Sequence, residues 1–509
     1  MGRLAMWRNH GLVCMIALCV MGVVLGGIVG SGPIRAYDIW WHLRLGQDII
    51  RTGQIGLYDQ YSHTAPGAFR PPQQWLFEVA QAAVYDAAGD EGMVWMRVLL
   101  LAASVGVLAL LLMRRGAPPL VVGAMLMLVA AACGPSSTMR PHLVMPLMLM
   151  ALLWLLDRSV QKPRLLLFGV PLFMLWANLH ASFALGLGIV GAWAVWQALG
   201  APQRPADGMR LSSRGLSQGA LMLVGCAAAC LINPVGVKLV HYSLQYLPGG
   251  EYAFHSEVIQ EWLPPDFSKL EWVSAAVLLG GGGILMLLNA RQVSPFHLIV
   301  SLVVMLMALR SGRAVQSAAF VMAWMVTPVL SGWVVRQSPT LLGWRPNSEM
   351  RPDRLFPIVL TFMMVVGPVA AIKAALSDDE PIQERYPSGA VEWVLAHDLR
   401  GNMYNPYRWG GYLIHRLYPR HHVFIDGRMD MYGEEIFRDY EALAKTSEGW
   451  EEIADKYRVQ WGIAASDSML GTTMRESANW AIVYDDDQAM VFVKRDGENA
   501  HLTAVQGTR

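Results

Sequence analysis

Residues 92–113 read GMVWMRVLLLAASVGVLALLLM, a run whose one charge is Arg97 and which Arg114 and Arg115 close. About 20 mostly apolar residues are what an α-helix needs to cross about 30 Å of hydrocarbon. Comparable segments centre on 12–30, 118–134, 141–156, 165–180, 182–199, 215–233, 271–289, 295–309, 314–335 and 355–376. The fold class expected is therefore mainly α: a polytopic membrane protein of about eleven transmembrane helices. A small α/β soluble domain follows them.

Composition supports that division. The chain is 54% hydrophobic and only 16% charged, with a mean hydropathy of +0.34, whereas soluble domains carry about 25% charged residues. The charges gather in the last quarter, which places a transmembrane domain at 1–379 and a soluble domain at 380–509. A net charge of +1 without a basic, aromatic-interleaved cluster argues against nucleic acid as a partner. Cys14, Cys19, Cys133, Cys226 and Cys230 all lie in apolar segments and read as small buried hydrophobes.

The first apolar segment follows Arg3 and Arg8 as a signal peptide's would. Its core is long and no A-x-A site follows, so it reads as an uncleaved helix. Basic residues fall in alternate loops: Arg114 and Arg115; Arg158, Lys162 and Arg164; Arg204, Arg210 and Arg214; Arg291; then Arg336, Arg345, Arg351 and Arg354. By the positive-inside rule those loops and the N-terminus are cytoplasmic. The tail domain is then outside, which for a bacterial inner membrane is the periplasm.

The first outer loop, about 31–90, is too long to be a mere connector. Trp41, Leu45 and Ile49 recur at four-residue spacing, and Leu76, Val79, Ala80, Ala83 and Val84 follow a second helical pattern. Both predict amphipathic helices, a type that can lie with its apolar face in lipid. A second outer loop, about 234–270, carries His255, Glu257 and Glu261; the two acids read as loop structure. In the tail, Val391–Leu399, Glu434–Ala444 and Trp450–Lys456 look helical. His422–Ile425, Val459–Ile463, Ala481–Tyr484 and Met490–Val493 look like strands.

Chemistry-bearing residues crowd the outer loops. Ala36-Tyr37-Asp38-Ile39-Trp40-Trp41-His42-Leu43 follows the first span, then Tyr58-Asp59-Gln60-Tyr61-Ser62-His63-Thr64 and Gln74-Trp75-Leu76-Phe77-Glu78. Further on come Arg140 with His142, Trp176-Ala177-Asn178-Leu179-His180, Asn233-Pro234-Val235-Gly236, Glu261-Trp262-Leu263-Pro264-Pro265, and Arg310 with Arg313. The tail adds Trp409-Gly410-Gly411-Tyr412-Leu413 and Phe424-Ile425-Asp426-Gly427-Arg428, the latter a functional loop or a strand-ending turn. Across most of its length this pattern resembles the GT-C superfamily of polytopic glycosyltransferases. It is most similar to a bacterial branch whose first outer loop reads D-x-D-x-W-W-H-L, D-x-x-S-x-T and H-E-W-L-x-E.

The resemblance implies an inner-membrane enzyme that moves a sugar from a polyprenyl-phosphate donor to a glycan, lipid or protein acceptor on the periplasmic face. It implies Asp38 as general base or acceptor-positioning acid and Asp59 as a second acid, with His42 and His63 orienting either. Arg140, His142, His180, Arg310 and Arg313 are the implied holders of the donor and its phosphate. These residue types suit the chemistry. Sugar transfer needs a base within about 2.6–3.2 Å of the acceptor hydroxyl, a carboxylate near an oxocarbenium-like centre, and arginine for a phosphate leaving group. No cofactor is required; a divalent metal on Asp38, His42 and Asp59 is possible but no spacing demands it. The branch's earlier acid falls at Ala36 here, and its His-Glu pair at Gln73 and Gln74. The competing expectations are a transporter of lipid-linked glycan and a non-catalytic assembly component.

Overall fold

Each apolar segment expected between 92 and 335 is built around a helix. The computed structural model describes residues 36–134, 137–201, 210–245, 262–337 and 386–503, with scattered positions between 17 and 29. Among these, four helices are long and apolar enough to cross a membrane: Trp75–Arg114, Pro141–Ser159, Leu270–Leu288 and Gly312–Val334. Pro119–Cys133, Pro163–Leu179, Phe183–Ala198 and Pro295–Arg310 are apolar but shorter. The 15 residues of Pro119–Cys133 rise only about 22 Å. The expected total of about eleven spans therefore leans on short helices. It leans also on segment 12–30, described at scattered positions, and on 355–376, outside the described residues.

The contacts gather into two units, Met1–Gly32 with Ala88–Asp378, and Pro33–Ala87 with Asp379–Arg509. The first is the apolar helical one. Its helices begin where the sequence stops a preceding turn: the Ser212 hydroxyl accepts from Gly215 N–H at 3.0 Å, and Ser294 caps Pro295–Arg310 in the same way. Phe173, Trp176, Trp193, Phe320 and Trp324 are buried between helices, while Leu221, Val224, Leu287, Leu288 and Leu306 point outward. Outward leucines suit hydrocarbon, which offers backbone groups no partner and so favours helices. Close helix approach uses small residues: a Cβ on Gly219 would come within 2.8 Å of Ala194 Cα.

Helix Gly312–Gln337 contains Pro328. Proline has no N–H to give the carbonyl four residues earlier, here Trp324. The Arg115 guanidinium repairs this from the turn that follows helix Trp75–Arg114, donating from Nη1 to the Trp324 carbonyl at 3.0 Å. It also lies 4.0 Å from the Trp324 ring centroid and donates to Asp157 Oδ1 at 3.0 Å.

The second unit joins the first outer loop to the tail. Its sheet has the order β1-β2-β4-β3, where β1 is Asn402–Tyr404, β2 Val459–Ala465, β3 Trp480–Asp485 and β4 Ala489–Lys494. β1 runs parallel to β2, and the β2/β4 and β3/β4 pairs are antiparallel. Ile463 pairs with Val491 and Trp461 with Val493, all buried. Helices Ser388–Ala396, Gly410–Leu417, Met429–Ala444, Trp450–Lys456 and Met469–Glu476 flank the sheet.

Two expectations need correction here. His422–Ile425 is no sheet strand: it makes a single parallel bridge, Ser62 to Val423, so its partner is the first outer loop. The amphipathic helix of that loop, Ile39–Thr52, does not offer its apolar face to lipid. Trp40, Trp41, Leu43 and Leu45 are buried within the unit, with Trp40 edge-on to Tyr386 and Tyr412. The second expected helix opens Trp75–Arg114, which breaks its helical conformation at Gly89 (φ 58°).

Candidate active site

Helix Ile39–Thr52 is amphipathic, and its spacing puts Trp41, Leu45 and the small Gly46 on the buried side. A Cβ on Gly46 would overlap the Glu78 carbonyl and lie 2.8 Å from Ala82 Cβ. Glycine there lets the helix starting at Trp75 cross closely enough for side chains to meet. His42 Nδ1 meets Glu78 Oε1 at 3.0 Å, and Arg70 Nη2 donates to the same oxygen at 2.8 Å. The Gln74 amide is 3.3 Å from His42 Nδ1, so the position where the branch carries an acid here holds a neutral hydrogen-bonding group. Burial keeps the His42 imidazole below its ordinary value despite the Glu78 carboxylate.

Asp59 is committed elsewhere. Its Oδ1 accepts from Tyr61 N–H at 3.2 Å and Arg428 Nη1 at 2.7 Å. Its Oδ2 accepts from Ser62 N–H at 3.0 Å and from the Ser62 hydroxyl at 2.6 Å. A carboxylate has about four acceptor sites, so Asp59 has none left for a substrate hydroxyl. Arg428 also donates from Nε and Nη2 to Asp426 at 2.8 and 2.6 Å, and the Tyr432 hydroxyl donates to the same carboxylate. Burial alone would raise the Asp426 carboxyl; the Arg428 guanidinium beside it outweighs that and holds it below the ordinary range. His63 donates from Nε2 to the Met403 carbonyl at 2.8 Å, and burial pushes its imidazole down to about 4. Asp59 and His63 thus fasten the first outer loop to the tail.

Asp38 stands just before helix Ile39–Thr52 and is half-buried. Its carboxylate lies on Gly427: a Cβ there would overlap Asp38 Oδ1 and sit 2.8 Å from Trp41 Nε1. The glycine between Asp426 and Arg428 therefore makes the seat for the acid, and the buried Asp59–Arg428–Asp426 bridge makes that seat rigid. No sheet strand ends at Asp426-Gly427-Arg428, so these three residues are a loop closed by their own ion pair. Asp38, His42 and Asp59 do not converge as metal ligands, since His42 turns to Glu78 and Asp59 to Arg428. Among the described residues no group of three or more such ligands gathers.

The other candidates belong to the helical unit. Arg140 precedes the short turn Pro141–Val144, and His142 within it is buried. His180 Nδ1 accepts from Ser182 N–H at 3.1 Å, just past helix Gly169–Leu179. Arg310 is exposed where Pro295–Arg310 ends, and Arg313 lies 5.7 Å from the Trp262 ring centroid. Following the helices back and forth, all five reach the end opposite Arg114, Arg115 and Arg158. Glu257 and Glu261 lie outside the described residues.

No family description matches the sequence, and no curated protein does. Solved structures do match. The Archaeoglobus fulgidus oligosaccharyltransferase in its apo form aligns with a TM-score of 0.59 at 12% identity, over 89% of this chain and 69% of that one. The archaeal oligosaccharyltransferase AglB from the same organism, in complex with an inhibitory peptide and a dolichol-phosphate, aligns with a TM-score of 0.61 at 11% identity, over 90% and 69%. The fold is that of AglB.

The sequence motifs contain Glu78 and Arg428 but do not show their partners, and Arg70 stands outside them. Glu78 lies on the helix face opposite Leu76, Val79, Ala80, Ala83 and Val84, so the apolar pattern turns it outward, yet it is buried with Phe77, Gln81 and Ala82. Arg428 left no pairing signal either, because its partner Asp59 is 369 residues away.

Proposed function

We propose that this chain is a membrane glycosyltransferase that takes a sugar or glycan from a polyprenyl-phosphate donor and passes it to an acceptor hydroxyl or amide. Asp38 is the acceptor-facing acid, as base or as positioning group. Arg140, Arg310 and Arg313 hold the donor phosphate, with His142 and His180 beside them. The reaction takes place on the membrane face bearing the tail domain, the periplasmic face of a bacterial inner membrane.

The observation that carries this reading is the seat of Asp38. A carboxylate placed directly after the first span rests on a glycine, and a buried ionic bridge holds that glycine still. Catalytic groups work from fixed positions, because preorientation removes much of the entropic barrier. Asp59, saturated by donors, supplies rigidity and not proton transfer.

The test compares cells lacking the protein, complemented with wild type or with Asp38→Asn. Polyprenyl-phosphate sugars and surface glycans are measured by mass spectrometry. The proposal expects Asp38→Asn to be expressed and folded, yet to accumulate donor or lack one glycan residue, as the deletion does. Full complementation by Asp38→Asn would remove Asp38 from the chemistry and favour an assembly or transport role.

A further inference from the structure

The arginine-rich end of the helical unit holds a cavity of about 380 Å³ that the transfer reaction does not use. Arg114, Arg115 and Arg158 line it, with Asp157 as its one acid. Three guanidinium groups against one carboxylate leave a formal charge of +2. Arg115 is locked to the wall by the Trp324 carbonyl and by Asp157. A second cavity of about 260 Å³ shares Arg115 and His297 and adds Arg336.

The rest of the wall is largely apolar, part aliphatic and part aromatic, and two of its residues carry unused donors. Trp154 and Trp193 both line the larger cavity. Both indole N–H groups are buried and meet no acceptor among the described residues. Trp193 is 1% exposed, so it is not one of the lipid-facing tryptophans that anchor helices at a membrane surface. A buried donor without an acceptor is costly, and two beside one cationic cavity ask for the same thing: an anionic, acceptor-rich ligand with an apolar body. Helix ends place this cavity at headgroup depth.

We propose that the cavity binds the phosphate headgroup of an anionic membrane phospholipid, with the guanidinium and indole N–H groups on the phosphate and the tryptophan rings against its glycerol and first methylenes. A phosphate offers acceptors only, which suits a wall that offers chiefly donors.

The experiment is native mass spectrometry of the full chain in detergent, titrated with phosphatidylglycerol or with phosphatidylcholine. Three proteins are compared: wild type, Trp193→Phe and Arg114→Gln/Arg158→Gln. Trp193→Phe keeps an aromatic ring, though a smaller one, and removes the donor; the arginine pair carries no repair bond to Trp324, so its loss spares the helix. The wild type is expected to hold phosphatidylglycerol several-fold more tightly than phosphatidylcholine. Trp193→Phe is expected to lose about tenfold for phosphatidylglycerol, as one charge-assisted hydrogen bond implies, and the arginine pair, which removes two cations, more than that. Equal binding of the two lipids, or unchanged binding by both variants, overturns the proposal. Displacement of the lipid by millimolar inorganic phosphate would overturn the lipid assignment in favour of a soluble phosphate.

Discussion

Replacing Arg428 by methionine tests the rigid seat directly. Its guanidinium is fully buried between the side chains of Asp59 and Asp426. Methionine fills much of the volume but leaves both carboxylates with neutral donors only. Removing one partner of a buried ion pair costs about 3–5 kcal/mol. There is a ceiling. A carboxyl can escape by taking a proton, at about 1.4 kcal/mol per pH unit above an ordinary value near 3.9, or about 4 kcal/mol at pH 7 and about 1.5 kcal/mol at pH 5. The sign follows from the wild type, where Asp426 lies below its ordinary value. That carboxylate adds stability above its unfolded-state value and loses it as pH falls through its folded one. The gap between wild type and Arg428→Met should therefore be about 4 kcal/mol at pH 7 and shrink at pH 5. Hydrogen exchange of peptides covering 57–64 and 423–432, in the full chain in micelles, reads the local opening energy. Asp59→Asn alone and with Arg428→Met completes the cycle, and the two changes should fall well short of additive. A loss under 1 kcal/mol, or one independent of pH, would refute the claim that this bridge holds the site.

Gly427→Ala should abolish glycan transfer in the complementation assay while leaving the chain folded, since its methyl group would displace Asp38; Gly56→Ala, with open space around it, should be silent. Glu78→Leu should destabilise the first outer loop by about 3 kcal/mol by stranding buried Arg70, read as faster exchange over 70–82. Burial pushes the imidazoles of His63, His415 and His421 down to about 4. Each takes up a proton on unfolding, so the tail unit should lose stability as pH falls from about 6.5 towards 4, by up to about 1.4 kcal/mol per pH unit for each. A melting temperature flat across that window would contradict the assignment.

The helices of the first outer loop and the strands β2, β3 and β4 were legible because each announces itself by local periodicity. β1 was not: its three residues are too few to show alternation. His422–Ile425 has a strand's composition, but which segment it pairs with is a matter of tertiary partner, and that partner, Ser62, lies far away in sequence. The same limit explains the site. Asp38 and Asp59 look alike as sequence, two acids in one outer loop. What separates them is that Tyr61, Ser62 and Arg428 fill every acceptor position of Asp59, while the Asp38 carboxylate is seated against Gly427. Arg140, His180 and Arg310 were legible as residues at helix ends, because turns at a membrane surface are where such side chains belong.

The second unit is stitched from Pro33–Ala87 and Asp379–Arg509, and this sets an order of events during synthesis. Glu78, Arg70 and His42 are close in sequence and can find each other early. Asp59 must wait for an arginine 369 residues later, roughly 20–70 s at ordinary translation rates. Through that interval Trp40, Trp41 and Leu45 have no tail to cover them. The nascent loop is then a sticky hairpin at the membrane surface, and biogenesis of this protein should depend on whatever shields it. Premature termination anywhere before Arg428 would leave a first outer loop that cannot close, a product fit for quality-control proteases.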